Sequence, residues 1–228
     1  YCSKADKASI KAFGGEIGKT AKTHNGEIQM KFAETTHLKA RIKNGNEWSA
    51  LNEIKLLKSD DLSPLIISEI HYHPLATRTM DSKDLEFIEF KNTGTTSLNL
   101  SNLKVEGGIS YQFEEGTVIP SNGFVVLASN STNFREYHLV DPNGEYKGHL
   151  SNGGDTIIVT DENKELISLI YGTESPWPVE PDGDGYSLVY NEEVKNTAPE
   201  KSDFWRTSHQ LNGTPFKDDF RTGIHDII

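Results

Sequence analysis

Cysteine is all but absent from this chain: Cys2 stands alone among 228 residues. A single thiol excludes an internal disulfide and a cysteine-built zinc site. Its position near the start fits a lipid-modified N-terminus or an ordinary strand residue. With no apolar leader before it, the second reading is preferred. No apolar run approaches the roughly 20 residues that a membrane-spanning helix needs. Residue 1 is Tyr and no charged-then-apolar leader follows it. The sequence is therefore expected to be a mature or excised fragment of a longer protein.

Catalytic signatures are missing as well. There is no Gly-x-Ser-x-Gly elbow and no His-Glu-x-x-His. Gly107-Gly108 lacks the Lys-Ser/Thr and the following helix that a phosphate loop requires. Glu114-Glu115 and Glu192-Glu193 are adjacent pairs, so on a strand their side chains point to opposite faces. That is poor geometry for acid–base work on one bond.

Positive charge is scarce beyond the first 61 residues. Residues 1–61 carry 11 Lys and Arg against 8 Asp and Glu, whereas residues 62–228 carry 12 against 26, a net of −14. Such a surface repels the phosphate backbone that nucleic-acid binding must neutralise. Nucleic acid is therefore not expected as a partner.

What the chain does have is short apolar runs cut by turn residues. Lys58-Ser-Asp-Asp-Leu-Ser-Pro64 is polar, charged and ends in proline, which marks a domain boundary. Before it, strands are expected near Ile28–Phe32, His37–Lys43 and Glu53–Leu57, with a tight turn at Asn44-Gly45. Three strands in so short a segment bury little core alone. After it, strands are expected at Leu65–His71, Glu86–Lys91, Phe124–Ala128, Thr156–Thr160, Leu166–Tyr171 and Tyr186–Tyr190. Phe124–Ala128 reads as buried on both faces. Asp161 to Lys164 reads as a hairpin loop of about four residues. Gly94, Gly107, Gly108, Gly116, Gly123, Gly153 and Gly154 are expected in turns at positive φ. Seven to nine strands with no helical periodicity predict an all-β, immunoglobulin-like β-sandwich behind a small partial β domain.

The stretches IISEIHYHP at 66–74, LEFIEFKNTG at 85–94, LNLSNLKVEGGISYQF at 98–113, GTVIPSNGFVVLAS at 116–129, LSNGGDTIIVTD at 150–161 and SPWPVEPDGDGYSLVY at 175–190 stand in order. They resemble the lamin tail domain, in the form found in bacterial extracellular proteins. NGTPFKDD at 212–219 is similar to the segment that closes that fold. The resemblance implies a sandwich over 62–219 without catalytic activity, followed by a tail at 220–228. It also implies an extracellular or cell-surface setting beside nuclease, hydrolase or kinase domains. NGEIQMKFAETTHLKARIKNGNEWSALNEIKL at 25–56 resembles the end of the immunoglobulin-like domain found at the C-terminus of chitobiases, placing a partial domain at 1–60. Ser3–Ile10, SKADKASI, departs from that family's early Asp-Gly-Ser-Asp-Pro-type turn. Together these imply a binding, adhesion or spacer module of an exported bacterial multidomain protein. The alternatives are a carbohydrate-binding module of a glycan-processing enzyme, or a metal-assisted hydrolase domain. Expected partners are a neighbouring domain of the same polypeptide, a surface protein or a polysaccharide.

A few residues remain as site candidates. Trp177 lies between Pro176 and Pro178, which fix its backbone and leave the indole little entropy to lose on binding. With Tyr186 it is the candidate ligand contact; the plainer reading is a lid on the core. Glu180, Asp182 and Asp184 put three carboxylates on or beside a glycine-rich loop, chemistry that suits Ca²⁺. The loop lacks the distal Glu of a full calcium loop, and a β-turn is the plainer reading. His71 and His73 are two apart on a strand and could chelate zinc or copper with a third ligand. None is apparent, so half-buried polar residues are the simpler account. No cofactor is required. Trp48 and Trp205 are expected to be packed.

Overall fold

The computed structural model describes residues 7–11, 22–25, 36–56, 61–162, 164–191 and 201–220. Contacts divide the chain into two compact units, Tyr1–Asp60 and Asp61–Ile228. Among the described residues no helix is long and apolar enough to cross a membrane.

The first unit is one antiparallel sheet. It comprises β1 (Lys7–Lys11), β2 (Lys22–Asn25), β3 (Thr36–Asn44), β4 (Glu47–Trp48) and β5 (Asn52–Leu56). β1 pairs with β2 and β3, and β3 pairs with both β4 and β5. Gly45, at φ +57°, turns the chain from β3 into β4 where the Asn-Gly signal lies. Trp48 is half-buried. The strand expected at Ile28–Phe32, and Cys2, lie outside the described residues.

In the second unit the apolar runs become strands, joined by turns and one short helix. The order is β6 (Leu65–His71), β7 (Phe87–Asn92), β8 (Leu98–Asn99), β9 (Lys104–Gly107), β10 (Ile109–Gln112), β11 (Val118–Ile119) and β12 (Phe124–Ala128). There follow helix α1 (Ser131–His138), β13 (Gly144–Glu145), β14 (Lys147–Gly148), β15 (Asp155–Asp161), β16 (Lys164–Tyr171), β17 (Leu188–Tyr190) and β18 (Trp205–Thr207). One sheet runs β13-β12-β7-β6-β17-β18, a second runs β14-β10-β9-β15-β16, and β8 pairs with β11. Ile70, Ile88, Phe90 and Leu127 of the first sheet and Val105, Ile109, Ile157 and Leu169 of the second are fully buried in one core. Burying each such side chain contributes about 1.5–3 kcal/mol. This is the all-β, immunoglobulin-like sandwich that the spacing of the turns predicts.

Four details differ from the sequence reading. The helix α1 was not foreseen, because eight residues are too few to show a 3.6-residue period. Asn130 caps it, its Oδ1 accepting from the Asn133 amide at 3.0 Å. The β15–β16 hairpin closes with Asp161 paired to Lys164, tighter than a four-residue loop. The strand expected at Tyr186–Tyr190 forms only from Leu188. Of the seven turn glycines only Gly107, Gly116 and Gly154 take positive φ. A Cβ on Gly108, which does not, would sit 1.7 Å from Asp155 Oδ2, so what is needed there is close approach rather than a special dihedral.

Candidate functional site

Pleating turns alternate residues of a strand to opposite faces. In β12 that sends Val125 and Leu127 into the sandwich core and Val126 and Ala128 to the other side, so this strand is buried on both faces. In β7, Ile88 and Phe90 point inward, which leaves Phe87, Glu89 and Lys91 on the outer face. That face is covered. Helix α1 brings Phe134 onto Phe87, Val126 and Ala128, and Phe216 packs against them. The rest of the cover is a closing segment, residues 208–220.

The closing segment is held by acids. A register shift between Ile67 and Glu69 of β6 sets Glu69 opposite Glu89 of β7. Both are 1% exposed, a depth at which carboxyl groups need partners. Glu69 accepts from the Thr214 amide at 2.9 Å, from the Thr214 hydroxyl at 3.2 Å and from the Ser187 hydroxyl. Glu89 accepts from the Phe216 amide at 2.6 Å and the Ser68 hydroxyl at 2.7 Å. Burial pushes Glu69 up to about 7, against the pull of its hydrogen bonds. Burial, then the nearby Glu69 carboxyl, raises Glu89 well above the ordinary carboxylate range. Two such acids facing one another favour retaining a proton.

The same surface carries Arg206 and Lys91. Arg206 of β18 donates to the Asp219 carboxylate and, at 2.7 Å, to its main-chain carbonyl. The His209 amide donates to Asp219 Oδ2 at 2.9 Å. Lys91 Nζ lies 2.5 Å from Asp218 Oδ1 and 5.5 Å from the Phe124 ring centre. Together these groups line a cavity of about 490 Å³ between the sheet and the closing segment. Glu86, at the start of β7, is a further buried acid. It accepts from the Leu150 amide at 2.9 Å and the Tyr146 hydroxyl at 3.2 Å, and burial raises it to about 7.

His71 also faces outward, edge-on to Phe87 at 5.5 Å. It is buried and neither ring nitrogen has a partner; His138 Nε2 is likewise unpartnered. Burial lowers His71 to about 3 and His138 to about 4. His73 turns instead to Asp182, at 2.7 Å, so the two histidines do not share a ligand. An unsatisfied buried polar group costs about 1–3 kcal/mol. His71→Phe is thus expected to raise stability by about 1 kcal/mol in urea unfolding at neutral pH; a loss of stability would contradict this account.

The residues singled out from sequence are only partly brought together. Trp177 is half-buried, packed on the core edge, 6.5 Å from the Trp205 ring and close against Gly172. Trp205 is 5% exposed and Tyr186 half-buried. Glu180 turns to the Thr207 hydroxyl at 2.7 Å, which lowers its pKa, while Asp182 turns to His73. Glu180, Asp182 and Asp184 do not converge, and among the described residues no three His, Cys, Asp or Glu side chains are arranged to hold a metal. The cluster at Glu69, Glu89, Lys91, Arg206 and Asp219 was not found from sequence. Its signal is a Glu inside each of two apolar strands, IISEIH and FIEFK, with an acidic FKDD segment far downstream.

The family model of the Lamin Tail Domain matches residues 58–173, the greater part of this sandwich. The chain belongs to the lamin tail domain family. The lamin tail match spans the sheets from β6 to β16, and the closing segment lies beyond it. Among curated proteins none matches the chain. A crystal structure of a DUF4876 family protein from Bacteroides thetaiotaomicron is similar at 9% identity and a TM-score of 0.43, covering 90% of this chain and 87% of that one. That likeness is too slight to bear on function.

Proposed function

We propose that this chain is a non-catalytic binding, adhesion or spacer module of an exported bacterial multidomain protein, placed outside the cell or on its surface. The observation that carries this reading is where the Glu69 oxygens go. A general acid or base must reach a substrate atom within hydrogen-bond distance. Here Glu69, in the cavity wall, instead receives the Thr214 amide and hydroxyl and the Ser187 hydroxyl of the protein's own chain. The family's lack of known catalysis supports the same reading. The first unit, read as the end of a chitobiase C-terminal-like domain, fits a chain built of successive β modules. Its partners are then a neighbouring domain, a surface protein or a polysaccharide, the last by way of Trp177 and Tyr186. The net of −14 over residues 62–228 weighs against nucleic acid.

The test is a hydrolase screen of the whole chain against glycoside, phosphodiester and peptide substrates between pH 5 and 9. No turnover above buffer is expected. Turnover abolished by Glu69→Gln or Glu89→Gln would overturn the proposal. A glycan array with the parent and Trp177→Ala chains separates sugar binding from scaffolding.

A further inference from the structure

Lys91 is an unusual place for a lysine. Its side chain is 8% exposed, on a sheet face under the closing segment, and its Nζ lies 2.5 Å from Asp218 Oδ1. Lysine ammonium groups are strongly hydrated and are rarely buried in this way. Three features beside the pair bear on its chemistry. Glu89 stands two residues before Lys91 in β7, hence on the same face. Its carboxyl holds the Phe216 amide at 2.6 Å, two residues before Asp218. The cavity of about 490 Å³ is lined by Glu89, Lys91 and Asp218 together, so a small leaving molecule has a way out.

We propose that Lys91 and Asp218 condense to an intramolecular isopeptide bond, with Glu89 carrying the proton between them. The ionised pair, ammonium and carboxylate, holds the same protons as the free amine and the carboxylic acid. In the latter form Nζ adds to Cγ of Asp218. The Nζ–Cγ bond forms and one Cγ–Oδ bond breaks. A nitrogen proton passes by way of Glu89 to the departing oxygen, which leaves as water. No outside reagent is consumed. The raised pKa of Glu89 suits the task, because an acid that keeps its proton near neutral pH can give it and take it back. Fixed proximity supplies the drive: well-oriented intramolecular reactions reach effective concentrations of about 10⁵–10⁸ M. The link would tie β7 to a residue 127 positions later and lock the closing segment in place.

Intact mass spectrometry of the folded, full-length chain tests this. The expected mass is one water below that of the sequence. With only Cys2 in the chain, no internal disulfide confuses the result. A tryptic digest should give one branched peptide joining Lys91 to Asp218, with no cleavage after Lys91. Lys91→Arg and Asp218→Ala should each restore the full mass. Glu89→Gln should slow the loss of water by about a hundredfold. An unmodified mass in the parent chain overturns the proposal. So does a missing water that the digest places elsewhere, for example as a cyclic imide at Asp182-Gly183 or Asp184-Gly185. Linkage at the parent rate in Glu89→Gln would remove Glu89 from the step.

Discussion

Gly213→Ala is expected to lower the melting temperature by roughly 10 °C, because it strikes the point where the closing segment meets both buried layers. Gly213 sits at φ +74°, flanked by Asn212 at φ +69°. An added Cβ would fall 2.4 Å from Glu69 Oε1 and 2.8 Å from Phe87 Cζ. The dihedral alone costs an alanine about 1–2 kcal/mol. Overpacking against groups that cannot retreat adds about 1–3 kcal/mol. If the segment lifts to relieve the clash, Glu69 loses the Thr214 amide and hydroxyl while remaining buried. At about 2–4 °C per kcal/mol for a domain of this size, the sum reaches the stated fall. Differential scanning calorimetry decides it, and a change below about 2 °C would show that the docked segment contributes little to stability.

The second large effect is a loss of stability in alkali. In the unfolded chain Glu69, Glu86 and Glu89 ionise near the ordinary carboxylate value of 4.5; in the fold burial holds Glu69 and Glu86 at about 7 and Glu89 well above 4.5. Their protonated forms therefore stabilise the fold fully below pH 4.5, and that contribution is lost as the pH rises through about 7. His71 and His138 act in the opposite sense. Their folded values of about 3 and 4 lie below the unfolded 6.5, so their contribution is complete above 6.5 and is lost as the pH falls. Between 4.5 and 6.5 the two sets oppose one another. Above 6.5 only the carboxyl groups remain, and stability should drop by about 2 kcal/mol from Glu69 and Glu86 together by about pH 8.5, with Glu89 adding to it. Urea midpoints across that range measure the drop. Glu69→Gln, which mimics the protonated acid, should flatten part of it; a midpoint that rises with pH would refute the assignment.

The fold was legible because hydrophobic alternation and turn residues are local signals. Leu65–His71 and Phe124–Ala128 coincide with β6 and β12, and the second of these shows its two-sided burial in five consecutive apolar residues. The closing segment's role was not legible. Glu69 and Glu89 each look like a solvated charge on a half-buried strand. Only the meeting of Thr214 and Phe216 with them, across 145 and 127 residues, turns them into anchors. A single sequence carries no sign of so distant a pairing. The acidic loop shows the opposite case, sequence neighbours that the fold separates. Asp182 and Asp184 are neighbours in sequence, but Gly183 at φ +95° turns the chain between them, and Asp182 is taken by His73.

The order in which the chain is made gives the Glu69–Thr214 contact one further consequence. β6 and β7 leave the ribosome early, yet the donors that satisfy their buried acids are translated 145 and 127 residues later. Until then the outer face of the larger sheet lacks its cover around Glu69, Glu89 and Lys91, with only helix α1 in place over Phe87 and Val126. A nascent chain in that state is a natural client for a holding chaperone.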